Sequence, residues 1–136
     1  MAEAAQIVAS LTVVGDQVDP DEVTAILGSA PDDAGKVGDP VSPHSSDKRR
    51  TGFWSISTTG RMPDTASLSQ HVQSLLTRVT TDAAAWKELA TRHSIRVFVG
   101  WFMEKENEGA GLDPGLLQEL ARRGVAIDFD IYSPPA

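Results

Sequence analysis

The stretch Val18-Asp19-Pro20, which precedes a short apolar segment ending at Gly28, decides the fold prediction. Nearly the same stretch, Leu112-Asp113-Pro114, recurs in the second half of the chain, before an apolar segment that ends at Gly124. An Asp before Pro places a hydrogen-bond acceptor at a helix N-cap and a preset φ at the first helical position. A glycine after the apolar residues is typical of a helix C-terminus. The repeat therefore predicts one helix in each half of the chain.

Each of these helices is flanked by segments with the composition of strands. Residues 7–14 and 95–103 alternate with period two, and aromatic or β-branched residues mark 52–57 and 125–132. Two strand-helix-strand units predict an α+β fold of ferredoxin-like type, with a four-stranded antiparallel sheet and helices on one face. Helical spacing of apolar residues within 65–93 predicts a helical insertion between the halves.

Length and composition are those of one globular domain. A chain of 136 residues with 40% apolar and 23% charged residues buries a core without disulfides, so residues 1–136 are interpreted as a single domain. Residues 29–50 are dominated by Pro, Gly, Asp, Ser and charged side chains. This segment is predicted to be a mobile loop.

Charge and cysteine content exclude several classes of function. The formal charge of −7 repels a phosphate backbone, so nucleic acid is not expected as a partner. An acidic surface of this kind either attracts a basic protein or merely keeps the chain dispersed, so a protein partner, if there is one, is expected to be basic. The absence of cysteine excludes disulfides and thiolate metal sites, and favours the cytoplasm. The N-terminus lacks a basic leader region, and no stretch approaches the roughly 20 apolar residues of a membrane span, so no membrane association is expected.

Three short stretches carry a family resemblance that extends over nearly the full length. They are Lys36-Val37-Gly38-Asp39, Thr51-Gly52-Phe53-Trp54-Ser55 and Asp128-Phe129-Asp130-Ile131-Tyr132. With these stretches in this order, the chain resembles the bacterial domain-of-unknown-function family 4279. The resemblance implies a shared fold and a bacterial origin, and it assigns no activity and no catalytic residues.

The last predicted strand carries the most distinctive polar pattern. Asp128, Asp130 and Tyr132 alternate with apolar residues and therefore share one face, with the two carboxylates about 7 Å apart. Such a pair binds a cation or serves as acid and base. The alternative is a solvated strand face, or ion pairs with arginines such as Arg50 and Arg96.

Large aromatic side chains are further candidates for a binding surface. Trp54 and Trp101 lie on predicted strands, where they line a pocket, anchor an interface or pack in the core. Phe98 and Phe102 alternate with the core residues of their strand and therefore lie on the opposite face of the sheet. Because large apolar rings are costly to leave in water, we expect this face to be covered. The inserted helices are the expected cover, and a partner, a second subunit or a small ligand are the alternatives.

Arg50 belongs to the basic run Lys48-Arg49-Arg50 beside the predicted loop. A run of this kind clamps an anion or a partner carboxylate, or else simply solvates the loop.

No catalytic or metal-binding motif is present. The three histidines, His44, His71 and His93, show no ligand spacing, and no motif that activates a serine nucleophile occurs. We therefore predict no metal, no cofactor and no catalytic residue, and we lean against an enzyme.

Taken together, these features favour a non-catalytic protein-binding module, for example one that neutralises a basic partner such as a toxin. The binding residues would be Trp54, Trp101, Asp128, Asp130, Tyr132 and Arg50. The alternative is a small-molecule-binding protein or minor enzyme, with a pocket between the sheet and the inserted helices. The lining of that pocket would be Trp54, Trp101, Tyr132 and the pair Asp128 and Asp130. The sequence leaves the oligomeric state open.

Overall fold

The structure is a computed structural model that describes residues 2–4 and 6–136. Within these residues the elements are, in chain order, β1 (Ala2–Glu3), β2 (Ile7–Gly15), α1 (Pro20–Leu27), β3 (Asp33–Gly35), β4 (Gly52–Ser57), α2 (Leu68–Thr77), α3 (Ala83–Arg92), β5 (Ser94–Phe102), β6 (Glu108–Gly109), α4 (Pro114–Arg122) and β7 (Ala126–Tyr132). No helix in this described part is long and apolar enough to cross a membrane.

Five of these strands form the main sheet, in the order β3-β4-β2-β5-β7, and β1 pairs with β6 in a separate two-stranded ribbon. The pairs β3-β4, β4-β2 and β2-β5 are antiparallel. The pair β5-β7 is parallel, because α4 carries the chain back along the sheet between them. The described residues thus form a mixed α+β fold with four helices and a five-stranded mixed sheet.

The predicted ferredoxin-like arrangement is not confirmed. It requires four antiparallel strands, whereas this sheet has a fifth strand, β3, and a parallel pair at its other edge. The physical reason lies in the segment predicted as a loop. After α1, the short edge strand β3 runs in the same direction as β2. The chain then turns back into β4, which is therefore antiparallel to β2 and pairs with it directly.

Helix α1 begins and ends where its sequence signals predict. The Asp19 side chain accepts a hydrogen bond from the backbone N–H of Asp21 at 3.1 Å, with Pro20 as the first helical residue. Gly28 closes the helix with a left-handed φ of 74°, a conformation that glycine adopts without steric cost. Asp113 lies at the corresponding position before α4, where its side chain makes no capping bond.

The core lies on one face of the main sheet. Alternate residues of β2, β4 and β5, such as Leu11, Ile56 and Val97, are completely buried there together with Leu75 of α2 and Leu89 of α3. All four helices contribute side chains to this cluster, so all four pack against the same face. Within the described residues, this arrangement leaves the opposite face without a helical layer.

The insertion predicted within 65–93 contains the two helices α2 and α3. The 29–50 segment contains β3 and a short bridge between Pro40 and Lys48.

Candidate functional site

The face of the main sheet that carries no helix is the candidate binding surface, here called the open face. Its aromatic side chains are unusually accessible for a strand surface, with Phe98 at 42%, Phe102 at 43% and Tyr132 at 47% exposure. The inserted helices were expected to cover Phe98 and Phe102. That expectation is wrong, because α2 and α3 pack against the opposite, core face.

A shallow depression of about 300 Å³ lies on this face over Gly100, between two phenylalanines of β5. Gly100 lacks a side chain, so it leaves a gap in the layer of side chains between Phe98 and Phe102. The complete lining is Val8, Ser10, Ser57, Phe98, Gly100, Phe102, Asp130 and Tyr132. We call this feature the Gly100 depression.

Two stacked rings form one wall of the Gly100 depression. Phe102 and Tyr132 are register partners on β5 and β7, and their ring centroids lie 4.8 Å apart with the planes inclined by 3°. The Tyr132 hydroxyl donates a hydrogen bond to Asp130 Oδ2 at 2.6 Å, and this bond raises the pKa of the phenol. The aromatic wall therefore holds a carboxylate at its rim.

The two carboxylates of β7 have different electrostatic environments. Asp128 forms an ion pair with Arg96 of the neighbouring strand, at 2.5 Å between Nη1 and Oδ2. No basic nitrogen in the described residues lies within ion-pair distance of Asp130. Asp128 thus forms the ion pair with an arginine that the sequence offered as an alternative to a binding role. Asp130, in contrast, presents an uncompensated negative charge at the Gly100 depression.

Trp54 and Trp101 both lie on the core face, away from the Gly100 depression. Trp54 is completely buried, and its indole N–H donates to Thr24 Oγ1 of α1 at 3.1 Å. Trp101 is also buried, and its indole N–H donates to Glu108 Oε1 at 2.9 Å. The predicted grouping of both tryptophans with Asp128, Asp130 and Tyr132 around one pocket is therefore not what the structure shows.

Arg50 lies far from the carboxylates of β7. It lies two residues before the start of β4, and two strands separate β4 from β7 in the main sheet. With Lys48, Arg49 and Asp47 it lines an open depression of about 820 Å³ beside the loop. Arg49 of the same run stacks over the Phe53 ring, with 4.5 Å between its guanidinium carbon and the ring centroid.

Sequence reasoning missed another cavity, of about 280 Å³, at the end of the sheet where α2 approaches Thr58, the residue that follows β4. His71 lines it and shares a 2.8 Å hydrogen bond between its Nδ1 and Thr58 Oγ1, which also accepts from the backbone N–H of Ala9. Burial lowers the pKa of His71. The available signal was helical spacing, since His71 falls three residues after Leu68 and four before Leu75 on the apolar side of α2.

In the described part of the chain, no group of three or more His, Cys, Asp or Glu residues is arranged to hold a metal ion. The open face combines aromatic rings, hydroxyls and one unpaired carboxylate, which is a set of groups suited to holding a cationic ligand.

In the part of the chain that the structure describes, fold and surface define an α+β protein whose mixed sheet has helices on one face and none on the other. Residues 5–134 match the family described as a domain of unknown function, DUF4279, and the chain belongs to that family. This confirms the resemblance inferred from the three short stretches. No curated protein and no solved structure shows a significant match.

Proposed function

We propose that this chain is a non-catalytic binding module that holds a basic segment of another protein on its open face. The observation that carries the proposal is the unpaired carboxylate of Asp130 at the rim of the aromatic Gly100 depression. A basic toxin that the module neutralises is one form of such a partner. The proposed setting is the bacterial cytoplasm, which the cysteine-free sequence and the resemblance described above favour.

The chemistry of the Gly100 depression matches a lysine or arginine side chain. An ammonium or guanidinium group over an aromatic ring gains about 0.5–2 kcal/mol, depending on how far it is desolvated. A charge-assisted hydrogen bond to Asp130 would add to this attraction. The alkyl stem of the same side chain would rest against Phe98 and Phe102, which are otherwise exposed to water.

Overall charge supports the same choice of partner. At a formal charge of −7, the chain attracts basic proteins through a field that salt screens. Binding should therefore weaken as ionic strength rises. The local contribution of Asp130 can be separated from this general attraction, because another aspartate can be neutralised at a distant position.

The test is isothermal titration calorimetry with a lysine-rich peptide and a glutamate-rich peptide of the same length. We expect only the lysine-rich peptide to bind. Asp130→Asn should weaken that binding by about 5- to 30-fold, which corresponds to about 1–2 kcal/mol for the lost charged partner. Gly100→Leu should have a similar effect, because the new side chain fills the depression.

Asp16→Asn is the matched control, since it removes the same charge from an exposed turn after β2. Its effect should stay below about twofold, as expected for a screened, distant charge. Equal losses for Asp16→Asn and Asp130→Asn would contradict a local site, and absence of any binding to the lysine-rich peptide would refute the proposal as a whole.

A second candidate function is small-molecule binding, with or without minor catalysis, in the cavity beside α2. The observation that favours it is the buried His71–Thr58 pair, whose imidazole lines a polar cavity. The predicted lining of Trp54 and Trp101 does not contribute, because neither residue lines that cavity. Native mass spectrometry of the protein purified from its own cells tests this candidate. A stoichiometric small molecule that is lost in His71→Leu would support it.

A further inference from the structure

We propose that the basic segment binds as an additional strand along the outer edge of β7, extending the main sheet by one strand. This inference rests on the proposed function and deepens it, because it names the backbone surface that the partner uses. The partner would be an extended segment in which lysine or arginine alternates with apolar residues.

Hydrogen-bond directions along β7 identify an unpaired edge. The carbonyl of Tyr132 accepts a hydrogen bond from the backbone N–H of Met103, so Tyr132 directs its peptide groups toward the β5 side. Residues of one parity in a strand point their N–H and C=O groups to the same side. Ile127, Phe129 and Ile131 therefore direct theirs outward, where β7 ends the sheet.

The side chains along this edge are also exposed. Phe129 is 45% and Ile131 is 53% accessible, although both point to the face on which the helices pack. Natural proteins usually blunt sheet edges with short strands, charged side chains, lysine above all, or prolines. The edge at β3 follows that rule, because β3 has 3 residues, whereas β7 has 7 residues, no proline or lysine, and only the acidic side chains of Asp128 and Asp130 as charges.

An added strand would match both sides of β7. Its apolar residues would lie beside Phe129 and Ile131, and its basic residues would lie beside Asp128 and Asp130 on the open face. A basic side chain opposite Asp130 would also reach the Gly100 depression, since Asp130 lines it. One extended segment would thus use the edge and the depression together.

A second copy of this chain is a poorer occupant of the same edge. Two copies related by a two-fold axis would pair β7 with β7 in antiparallel orientation. In the registers centred on residues 128, 129 and 130, Asp128 or Asp130 faces an identical carboxylate or the other one. Like charges directly opposite each other destabilise strand pairs. Charge complementarity therefore favours a basic partner strand.

The test is amide hydrogen exchange by NMR on the full chain, with a seven-residue peptide of alternating lysine and valine as the probe. An alternating glutamate and valine peptide is the control. The lysine peptide should slow exchange of the outward amides of Phe129 and Ile131 by about tenfold or more. The amides of Asp128 and Asp130 point to β5 and should be protected before the peptide is added.

Two variants block the edge by different means. Ile131→Pro removes an outward N–H and leaves the inner ladder intact, and Phe129→Lys adds a repelling charge beside the incoming basic strand. Each should weaken peptide binding by about tenfold. Leu117→Lys is the matched control for the added lysine, because Leu117 is an exposed apolar residue on α4 and not on the edge. If Ile131→Pro does not fold, Phe129→Lys alone decides.

The outcomes separate the two proposals. If the lysine peptide binds and the amides of Phe129 and Ile131 are unchanged, the added strand is refuted while the proposed function stands. If the peptide does not bind at all, both fail. If the protein alone forms a dimer in analytical ultracentrifugation and protects the outward β7 amides, a second copy occupies the edge and the inference is overturned.

Discussion

The two faces of the main sheet are built from alternate residues of the same strands, yet one face is buried and the other is largely exposed to water. On the core face, Leu11, Trp54 and Val97 are completely buried under the helices. On the open face, Phe98 and Phe102 remain more than two-fifths exposed. The difference shows where stability resides. Because packing is concentrated on the core face, side chains of the open face can change with little effect on folding and are available for binding.

The two edges of the sheet repeat this contrast. At the β3 edge, Asp32 accepts hydrogen bonds from the guanidinium of Arg78 at 3.0 Å and from the backbone N–H of Ser57 at 2.8 Å. A further ion pair joins Asp32 to Arg61 at 3.1 Å. At the β7 edge, Asp130 contacts only the hydroxyl of Tyr132 among the hydrogen bonds found in the described residues. The β3 edge is therefore fixed to the rest of the protein by the contacts of Asp32, whereas the carboxylate at the β7 edge has no such partners in the described residues.

Truncating an aromatic residue on each face should give the largest contrast. Trp54→Ala should destabilise the protein by about 3–5 kcal/mol, because it opens a cavity in a fully buried site and leaves Thr24 without its indole donor. Phe98→Ala should cost less than about 1 kcal/mol, since much of its ring is already in water. Urea denaturation of both variants measures the difference. Similar losses would show that the open face is packed in solution.

A pair of glycines on two strands of the main sheet, Gly52 of β4 and Gly100 of β5, gives a smaller contrast. A Cβ added to Gly52 would lie 2.9 Å from the backbone carbonyl oxygen of Val18, so Gly52→Ala should cost about 1–3 kcal/mol through overpacking. A Cβ on Gly100 would lie 3.5 Å from the nearest Phe102 atom, which is an ordinary contact. Gly100→Ala should therefore be neutral, or stabilising by up to about 1 kcal/mol, because glycine loses more backbone entropy on folding.

Thermal melts of these two glycine variants provide the measurement. The prediction for the open face would be wrong if Gly100→Ala lowered the melting temperature as much as Gly52→Ala. That result would mean that the Gly100 depression is occupied or closed in the folded protein.

Several elements could be predicted because their signals are local. The Asp19-Pro20 start and the Gly28 end of α1 depend on capping and backbone preferences within a few residues, and the structure has both. The shared face of Asp128, Asp130 and Tyr132 follows from the pleat of a single strand. Family membership was also predictable from three short stretches.

Other features depend on contacts between distant parts of the chain, which a single sequence does not encode locally. Asp33-Ala34-Gly35 has no strand propensity and becomes β3 only by pairing with β4, so the fifth strand of the sheet could not be foreseen. The grouping of Trp54 and Trp101 with the β7 carboxylates failed for a related reason. Strand alternation separates two faces, but only the pairing register shows which faces of different strands coincide.

The smallest contrast concerns the two edge carboxylates and has a pH signature. The hydrogen bond from Arg78 is the main reason that the pKa of Asp32 falls from its usual 3.8 to about 2, with contributions from the Ser57 N–H and Arg61. Because the pKa of Asp32 is lower in the folded than in the unfolded state, ionised Asp32 stabilises the fold. This stabilisation is fully present at pH values above the unfolded-state pKa, and it is lost as the pH falls from about 4 through about 2. After allowance for solvent screening, it amounts to about 1–2 kcal/mol. Asp32→Asn should therefore reduce stability at neutral pH and converge with the unmodified protein near pH 2, as measured by urea denaturation across this range.

Asp130→Asn is the matched variant at the other edge, and it should leave the stability curve nearly unchanged at every pH because no basic group in the described residues is paired with that carboxylate. A stability difference for Asp32→Asn that did not shrink on acidification would show that the ion pairs with Arg78 and Arg61 are not what holds the β3 edge. In that case the contrast between the β3 edge and the β7 edge would rest on strand length alone.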